Sequence, residues 1–504
     1  MVFSSFTFIF IFLLTSLVVY HIVPYRFKNY ILLIISLLFY AWGEPVYIIL
    51  MVLSILFNYL CGQYIAMLRP VTPVKKSGVI PKIEIMDVEK EYTVRGFQTQ
   101  VKEKRNLQKR AKMSLSAAIT FNLLILGFFK YFDFVIQNVN HLSGGSLHFR
   151  SISLPLGISF YTFQAISYLV DVYRGDVKAQ KKFINFALYI AMFPQLIAGP
   201  IVRYVDIERQ LMKRKLSIVK FGEGARYFIT GLAKKVIIAN QMGEIFEAVN
   251  MAILSGEAVP VALSWIGAMA FTLQIYFDFG GYSDMAIGLG KMFGFDFKEN
   301  FHYPYTAVSI TDFWRKWHIS LGTWFREYVY IPLGGNRKGR ARQIFNLMVV
   351  WFLTGLWHGA EWNFVVWGLY YGIILIFEKF LFDRLLHRLP AFAQHLYVIV
   401  IVIIGWVFFF SNDLNGAIGY LHGMFSLHKG GLFDRSVLFT LMNHRILWIV
   451  SILCCTEIPN TFMMRQGYYK WRKLVTDMGY IALFLVSVSY LIANTYNPFI
   501  YFRF

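Results

Sequence analysis

Two histidines stand in settings where side chains could do chemistry, and the first lies within SITDFWRKWHISLGTWFREYVYIPLGG, Ser309 to Gly335. Ser309, three residues before Asp312, predicts a helix start, because side-chain oxygens there answer the unpaired N–H groups of a first turn. Trp314, Trp317, His318, Leu321, Trp324, Phe325 and Tyr328 then recur at helical spacing and predict one aromatic stripe with His318 at its middle. Arg315, Lys316, Arg326 and Glu327 fall largely off that stripe. The segment therefore reads as a short amphipathic or re-entrant helix more than a plain span, with a charged face suited to an acidic cytosolic donor such as a nucleotide thioester.

The second histidine lies in TGLWHGAEWN, Thr354 to Asn363, forty positions further on. If this stretch is helical, Trp351, Thr354, His358 and Trp362 share a face, and Gly355 and Gly359 are spaced to admit a neighbouring helix. Little water surrounds a histidine flanked by tryptophans, which disfavours the imidazolium and leaves a neutral ring able to accept a proton. Acyl transfer to an alcohol needs such a base, because a hydroxyl is a poor nucleophile until its proton is withdrawn. His358 is the first candidate. Either histidine alone also reads as an intramembrane residue that merely bonds a neighbouring helix; two in aromatic, glycine-flanked settings point to a shared site. In FDFGGYSDMAIGLG, Gly280, Asp284 and Gly288 fall on one helical row. Asp278 and Asp284 are expected to bond Tyr, Trp or Arg of an adjacent helix, with substrate contact or orientation of a histidine as the other role.

Several catalytic patterns are missing. The sequence has no G-x-S-x-G elbow, no H-E-x-x-H, no phosphate-binding G-x-x-x-x-G-K-[ST] loop and no G-x-G-x-x-G after a strand, which argues against a serine hydrolase, a zinc protease and a P-loop ATPase. Cys61, Cys454 and Cys455 lie in apolar surroundings and form neither a disulfide framework nor a zinc site. What remains is histidine-centred chemistry inside a membrane, or transport.

The elements that must position these residues are membrane helices. The chain of 504 residues is 57% hydrophobic and 15% charged, against about a quarter charged in soluble domains. Runs of roughly 20 apolar residues, enough to cross a bilayer, recur throughout, and about 11 to 13 membrane-embedded helices are expected once interrupted segments are included. Val2 to Tyr20 reads as a retained first span. The formal charge of +21 is gathered in short clusters between apolar runs, the bias of cytoplasmic loops and anionic-lipid contact, which disfavours a nucleic-acid partner. The long polar stretch Arg69 to Lys112 reads as a cytoplasmic connector with room for a short strand pair or helix around Ile80 to Gln100. No internal repeat of fixed period is visible, which weighs slightly against a secondary transporter.

At this point five blocks resemble a known family. ISFYTFQAISYLVDVYRG (Ile158 to Gly175), FPQLIAGPIVR (Phe193 to Arg203), FDFGGYSDMAIGLGKMFGF (Phe277 to Phe295), DFWRKWHISLGTWFREYVYIPLGGNR (Asp312 to Arg337) and TGLWHGAEWNFVVWGLYYG (Thr354 to Gly372) are similar to the membrane-bound O-acyltransferases, and within them to the bacterial alginate O-acetyltransferase branch. MVFSS at the N-terminus and FYAWGEP around Tyr40 to Pro45 are similar too. The resemblance implies a catalytic histidine at His358 and a second functional position at His318. It also implies a ring of tilted helices around a central tunnel, where a cytosolic acyl donor meets an acceptor from the other face. The branch's usual role implies acetylation of an exported polysaccharide, often by way of a separate extracytoplasmic transferase.

The expectation is therefore an all-α integral membrane protein, one multi-span domain over residues 1–504, in a bacterial plasma membrane. Acetyl-CoA is the expected co-substrate, with no tightly bound cofactor and no metal; membrane lipids, an extracytoplasmic partner protein and the polysaccharide acceptor are the expected partners. His358 would serve as general base with His318 assisting, although an acyl-histidine route is equally open. Trp314, Trp317, Trp357, Asn363 and Asp284 are expected to bind substrate or support the site. The rivals are D-alanyl transfer to teichoic acid from a carrier-protein thioester, and a multi-span transporter or flippase. The polymer itself is not specified by any of these residues.

Overall fold

The computed structural model describes residues 2–69, 90–145, 147–197, 199–426, 430–459 and 470–493, and among them there are helices and turns but no strand. That outcome follows from the solvent: hydrocarbon offers nothing to bond an open sheet edge, so a segment must answer its own N–H and C=O groups. The helices that matter for the site are α1 (Phe8–Ile22), α2 (Lys28–Gly43), α3 (Ile48–Leu68), α4 (Lys90–Ser143), α5 (Ile158–Arg174), α6 (Phe183–Ala191), α7 (Ile218–Ala233), α8 (Asn240–Leu254) and α9 (Val261–Met292). They continue as α10 (Ile310–Lys316), α11 (Ile319–Phe325), α12 (Arg340–His358), α13 (Trp362–Phe377), α14 (Ala391–Phe410), α15 (Leu414–Phe425), α16 (Arg435–Asn443), α17 (Arg445–Cys454) and α18 (Lys470–Ala493).

Among the described residues six helices are long and apolar enough to cross a membrane, and the pair α16 and α17, bent by 64°, would make a seventh. That count falls short of the about 11 to 13 embedded helices expected from sequence, since helices such as α1, α2, α5, α6 and α12 are shorter or less apolar. Of the polar stretch read as a connector, residues 70–89 lie outside the described residues. From Lys90 the chain is already helical and continues without a break into the span that ends at Ser143. No proline follows Pro81 there, and Lys, Glu, Gln and Arg are good helix formers.

The centre of the molecule is α9. Of its most apolar stretch 72% is buried, against 6% for the stretch within α18, so α9 is wrapped by protein while α18 lies at the rim. Glycine lets α7 come up against it: a Cβ on Gly231 would stand 2.4 Å from the Gly281 carbonyl oxygen, and one on Gly288 would stand 2.5 Å from that of Gly224. Small residues at such a seam allow the backbone approach that drives helix association in lipid. Of the expected row, Gly288 does meet α7, but Gly280 faces Tyr276 and Phe301 instead, and Gly281 takes its place at the seam.

Beyond the seam, α7 passes through a π-helical turn, Lys234–Ala239, whose wider winding brings successive side chains toward one face. Lys235 meets Asp278 at 2.7 Å with both side chains almost fully buried, and Lys234 meets Asp284 at 2.6 Å nearer the surface. The aspartates therefore take lysine partners where Tyr, Trp or Arg were expected, because the π turn delivers two cations to α9. Breaking one half of a buried pair strands the other charge, at a cost of about 3–5 kcal/mol. Asp278→Ala is expected to lower the melting temperature of the purified protein sharply, and Lys235→Met combined with Asp278→Leu to recover much of the loss. A melting curve for Asp278→Ala equal to the parent's would show that the pair does not hold the seam.

Candidate active site

The segment read as one aromatic helix is in fact broken at its histidine. α10 starts as expected, with Ser309 Oγ accepting from the Asp312 N–H at 3.0 Å. Its other first-turn donors, the N–H groups of Ile310 and Thr311, go to the carboxylate of Glu378 on the π turn that follows α13, at 2.7 and 2.9 Å. The helix ends at Lys316, and His318 adopts the left-handed conformation with φ 46° before α11 begins. For a residue with a Cβ that conformation costs roughly 1–2 kcal/mol, so surrounding contacts must hold it. Two do: the Ile319 N–H donates to the Asn300 carbonyl at 2.9 Å, and the His302 N–H to the Lys316 carbonyl at 2.9 Å. The predicted single stripe fails because the backbone turns between Trp317 and His318; Trp317 packs on Trp406 and Phe301 while His318 turns to Phe279.

The second histidine stands at another break. α12 stops at His358, Gly359 is extended, and Trp362 opens α13 instead of continuing the face of Trp351, Thr354 and His358. Gly355 does admit a neighbour, since a Cβ there would stand 2.3 Å from the Phe364 carbonyl oxygen of α13. The last carbonyls of a helix have no partner within it, and here α4 supplies partners. Tyr131 donates its hydroxyl to the Leu356 carbonyl at 2.7 Å, and Lys130 Nζ donates to the carbonyls of Trp357 and His358, the latter at 3.3 Å. One turn and two turns further along α4, Phe134 packs on Trp362 and Asn138 accepts from its indole N–H at 2.9 Å. On the other side Asn363 donates to the carbonyls of Phe408 and Ser411 at the end of α14.

The two breaks face each other. The rings of His318 and His358 lie 6.4 Å apart between centres, and both side chains are buried. That separation is too great for a direct hydrogen bond, yet one oxygen bonded to each ring at about 2.8 Å would span it. Trp357 packs against both rings, at 5.9 Å from His318 and 5.0 Å from His358, and Trp367 and Phe409 close the far side of His358 at 5.0 and 5.3 Å. The buried Nδ1 of His358, Nε2 of His318 and Nε1 of Trp367 have no hydrogen-bond partner among the described residues. Two ring nitrogens and one indole donor around the histidine pair are thus left unanswered, in a setting where that is costly.

Of the supporting residues expected from sequence, Trp357 joins the two histidines directly and Asn363 pins the turn after His358. Trp314 stands one layer back, against Trp351, Trp367 and Tyr371 at 4.7, 5.6 and 4.8 Å. Trp317 also lies behind the site, and Asp284 is engaged with Lys234. Sequence reasoning missed Lys130, Tyr131, Glu378 and Asn300. A lysine in LLILGFFKYFDF and a glutamate in IILIFEKFLF are ionisable groups inside apolar runs, which is the signal that marks function in membranes; Asn300, in a polar turn, carries no such signal. Among the described residues no group of three His, Cys, Asp or Glu side chains is gathered to hold a metal ion.

Comparison with known proteins matches this arrangement to a class. A family model for the membrane-bound O-acyltransferases matches residues 178–415, which include both histidines but not Lys130. A probable alginate O-acetylase of Pseudomonas putida is 36% identical over the whole of both chains. A peptidoglycan O-acetyltransferase of Helicobacter pylori is 30% identical over all of this chain and 98% of its own. A teichoic acid D-alanyltransferase of Bacillus subtilis is 28% identical over 44% of this chain and 60% of its own. The chain belongs to the membrane-bound O-acyltransferase family, and is an O-acyltransferase with several membrane spans.

The clamp from α4 has a measurable consequence. A hydrogen bond contributes about 1 kcal/mol and Lys130 makes two at the end of α12, so Lys130→Met is expected to slow acyl transfer about tenfold, with Lys130→Arg partly restoring it. Tyr131→Phe, which loses a neutral bond of about 1 kcal/mol, should slow it only several-fold. Turnover measured alongside melting curves checks this, and parental turnover in Lys130→Met would show that the end of α12 needs no clamp.

Proposed function

We propose that this protein moves an acetyl group from cytosolic acetyl-CoA to a hydroxyl on the way to an exported cell-surface polysaccharide, working in a bacterial plasma membrane. The observation that carries the proposal is the pair of buried histidines held 6.4 Å apart at two helix breaks. Support for an acetyl donor comes from the relatives that are similar over the full length, both described as O-acetylating enzymes. The D-alanyl-transferring relative covers less than half of the chain and gives the alternative less support.

In this scheme the acceptor oxygen sits between the two rings. His358 takes the hydroxyl proton as the oxygen attacks the thioester carbonyl carbon, and the C–S bond breaks to release the thiolate. The proton then passes to the thiolate sulfur, so that free thiol and ester leave and the neutral ring is restored. As the carbonyl oxygen gains charge, the indole N–H of Trp367, buried beside His358 without another partner, is available to stabilise it. The single hydroxyl proton goes to His358, so His318 assists by placing the donor, its unpartnered Nε2 accepting a hydrogen bond from an amide N–H of the coenzyme arm. Asn363, Trp357 and Trp314 hold or back the site, and the acceptor is either the glycan itself or an extracytoplasmic transferase that passes the acetyl group on. The basic clusters, including Arg315 and Lys316, suit the phosphates of the donor and anionic lipid headgroups on the cytoplasmic side.

The test is transfer of labelled acetyl from acetyl-CoA by the purified full-length protein, with a glycan acceptor and its extracytoplasmic partner supplied. His358→Ala is expected to abolish transfer at unchanged melting temperature, and His318→Ala to reduce it at least tenfold. Undiminished transfer in His358→Ala would remove the base assignment. Label taken from a D-alanyl carrier protein but not from acetyl-CoA would replace the acetyl reading.

A further inference from the structure

We propose that Asn300 is a positioning residue that holds His318 in one tautomer, with the proton on Nδ1 and the lone pair on Nε2. Asn300 lies in the turn between α9 and α10, its side chain is almost wholly buried, and neither the family match nor any relative's description assigns it a role. The argument rests on the directions of four hydrogen bonds.

A backbone N–H can only donate. The Ser320 N–H lies 3.1 Å from Oδ1 of Asn300, so the amide must present its oxygen here and its NH₂ elsewhere. Ser320 Oγ lies 2.8 Å from the same oxygen and accepts from the Ile201 N–H at 3.0 Å. Its own proton is therefore directed to Asn300, which confirms Oδ1 as an acceptor from a second direction. His318 Nδ1 lies 3.3 Å from this oxygen. Two acceptors would repel at that distance, so Nδ1 carries the hydrogen, and in a neutral imidazole the other nitrogen is then an acceptor. That nitrogen, Nε2, is the one buried without a partner beside Phe279, Trp357 and His358.

Asn300 also holds the main chain. Its carbonyl accepts from the Ile319 N–H at 2.9 Å, which locks the left-handed turn at His318. One residue thus fixes both the backbone that presents the ring and, by holding the proton on the near nitrogen Nδ1, the lone pair on its far nitrogen Nε2. The chain Ile201, Ser320, Asn300, His318 links the Phe193 to Arg203 block to the histidine block, two stretches more than a hundred positions apart in sequence. An amide does here what a carboxylate does for a catalytic histidine elsewhere: it selects the tautomer, but without adding a negative charge to an apolar site.

The inference builds on the acyl-transfer reading for its kinetic consequence, whereas the tautomer is a property of the resting protein. The experiment is nitrogen NMR of full-length protein labelled with ¹⁵N-histidine in lipid nanodiscs, with the His318 signals identified by their loss in His318→Gln. The parent should show a protonated Nδ1 and an unprotonated Nε2 at position 318. Asn300→Leu should populate the other tautomer and lower kcat at least tenfold while KM stays within twofold. Asn300→Asp, which keeps an acceptor in place, should keep the tautomer and a larger share of kcat than Asn300→Leu. Parental His318 found protonated on Nε2 would overturn the proposal even if neither variant folds, and so would an Asn300→Leu protein with the parental spectrum and kcat. A wrong donor or acceptor in the proposed reaction would leave these spectra unchanged, so the two readings fail separately.

Discussion

A helix that stops inside an apolar medium leaves carbonyl or N–H groups that no water will answer, and the architecture around the two histidines is organised by that constraint. Each unanswered buried group costs about 1–3 kcal/mol, so a break is stable only where side chains from elsewhere reach it. Glu378 reaches from the end of α13 to the first turn of α10, and Asn300 takes the first N–H groups after His318. Lys130 and Tyr131 reach from α4 to the last carbonyls of α12. Apart from Ser309, which caps α10 locally, these caps come from distant parts of the chain. The breaks put imidazoles where an unbroken helix would put an aliphatic surface, and the caps make the breaks permanent.

The surrounding frame explains why such breaks do not collapse. α7 and α9 meet along glycines close enough that any Cβ would collide with the opposing backbone, and the Lys235–Asp278 pair locks their register from within. Phe277 and Phe279, on either side of Asp278, are buried, and Phe279 meets the His318 ring directly. The same helix thus carries the lock and one wall of the site. Aromatic rings fill the space between frame and breaks: Trp357 touches both histidines, and Trp314, Trp351, Trp367 and Tyr371 back it. Such rings bring much contact area at little conformational cost, and they exclude the water that would otherwise compete for the histidine nitrogens.

Much of the site's cast was legible before any coordinates. His318 and His358 stand out as imidazoles among tryptophans and glycines, Ser309 as a helix cap, and Gly355 as a point of close approach; each signal is local and survives in a one-dimensional reading. The partners of Asp278 and Asp284 were not legible, since nothing in the sequence announces that a π turn presents Lys234 and Lys235 together. The aromatic stripe was over-read, because helical spacing continues through Trp317 and His318 even though the backbone does not. Lys130 and Glu378 were visible as ionisable residues in apolar runs, but their meaning lay in which helix end each would meet.

Composition and hydropathy alone settled that the bilayer is the solvent and that the fold is helical, since continuous apolar runs of roughly 20 residues fit spanning helices and not the short alternating strands of a barrel. The sequence blocks likewise pointed to the family that the comparisons show, and singled out the two histidines that the fold brings together. Which residues touch those histidines, where the helices break, and which nitrogen keeps its proton were decided only in three dimensions. The reason is that the caps from Asn300, Glu378, Lys130 and Tyr131 pair residues from 19 to more than 200 positions apart, from Asn300 with Ile319 to Lys130 with Trp357. No periodicity within a single helix encodes a contact of that kind.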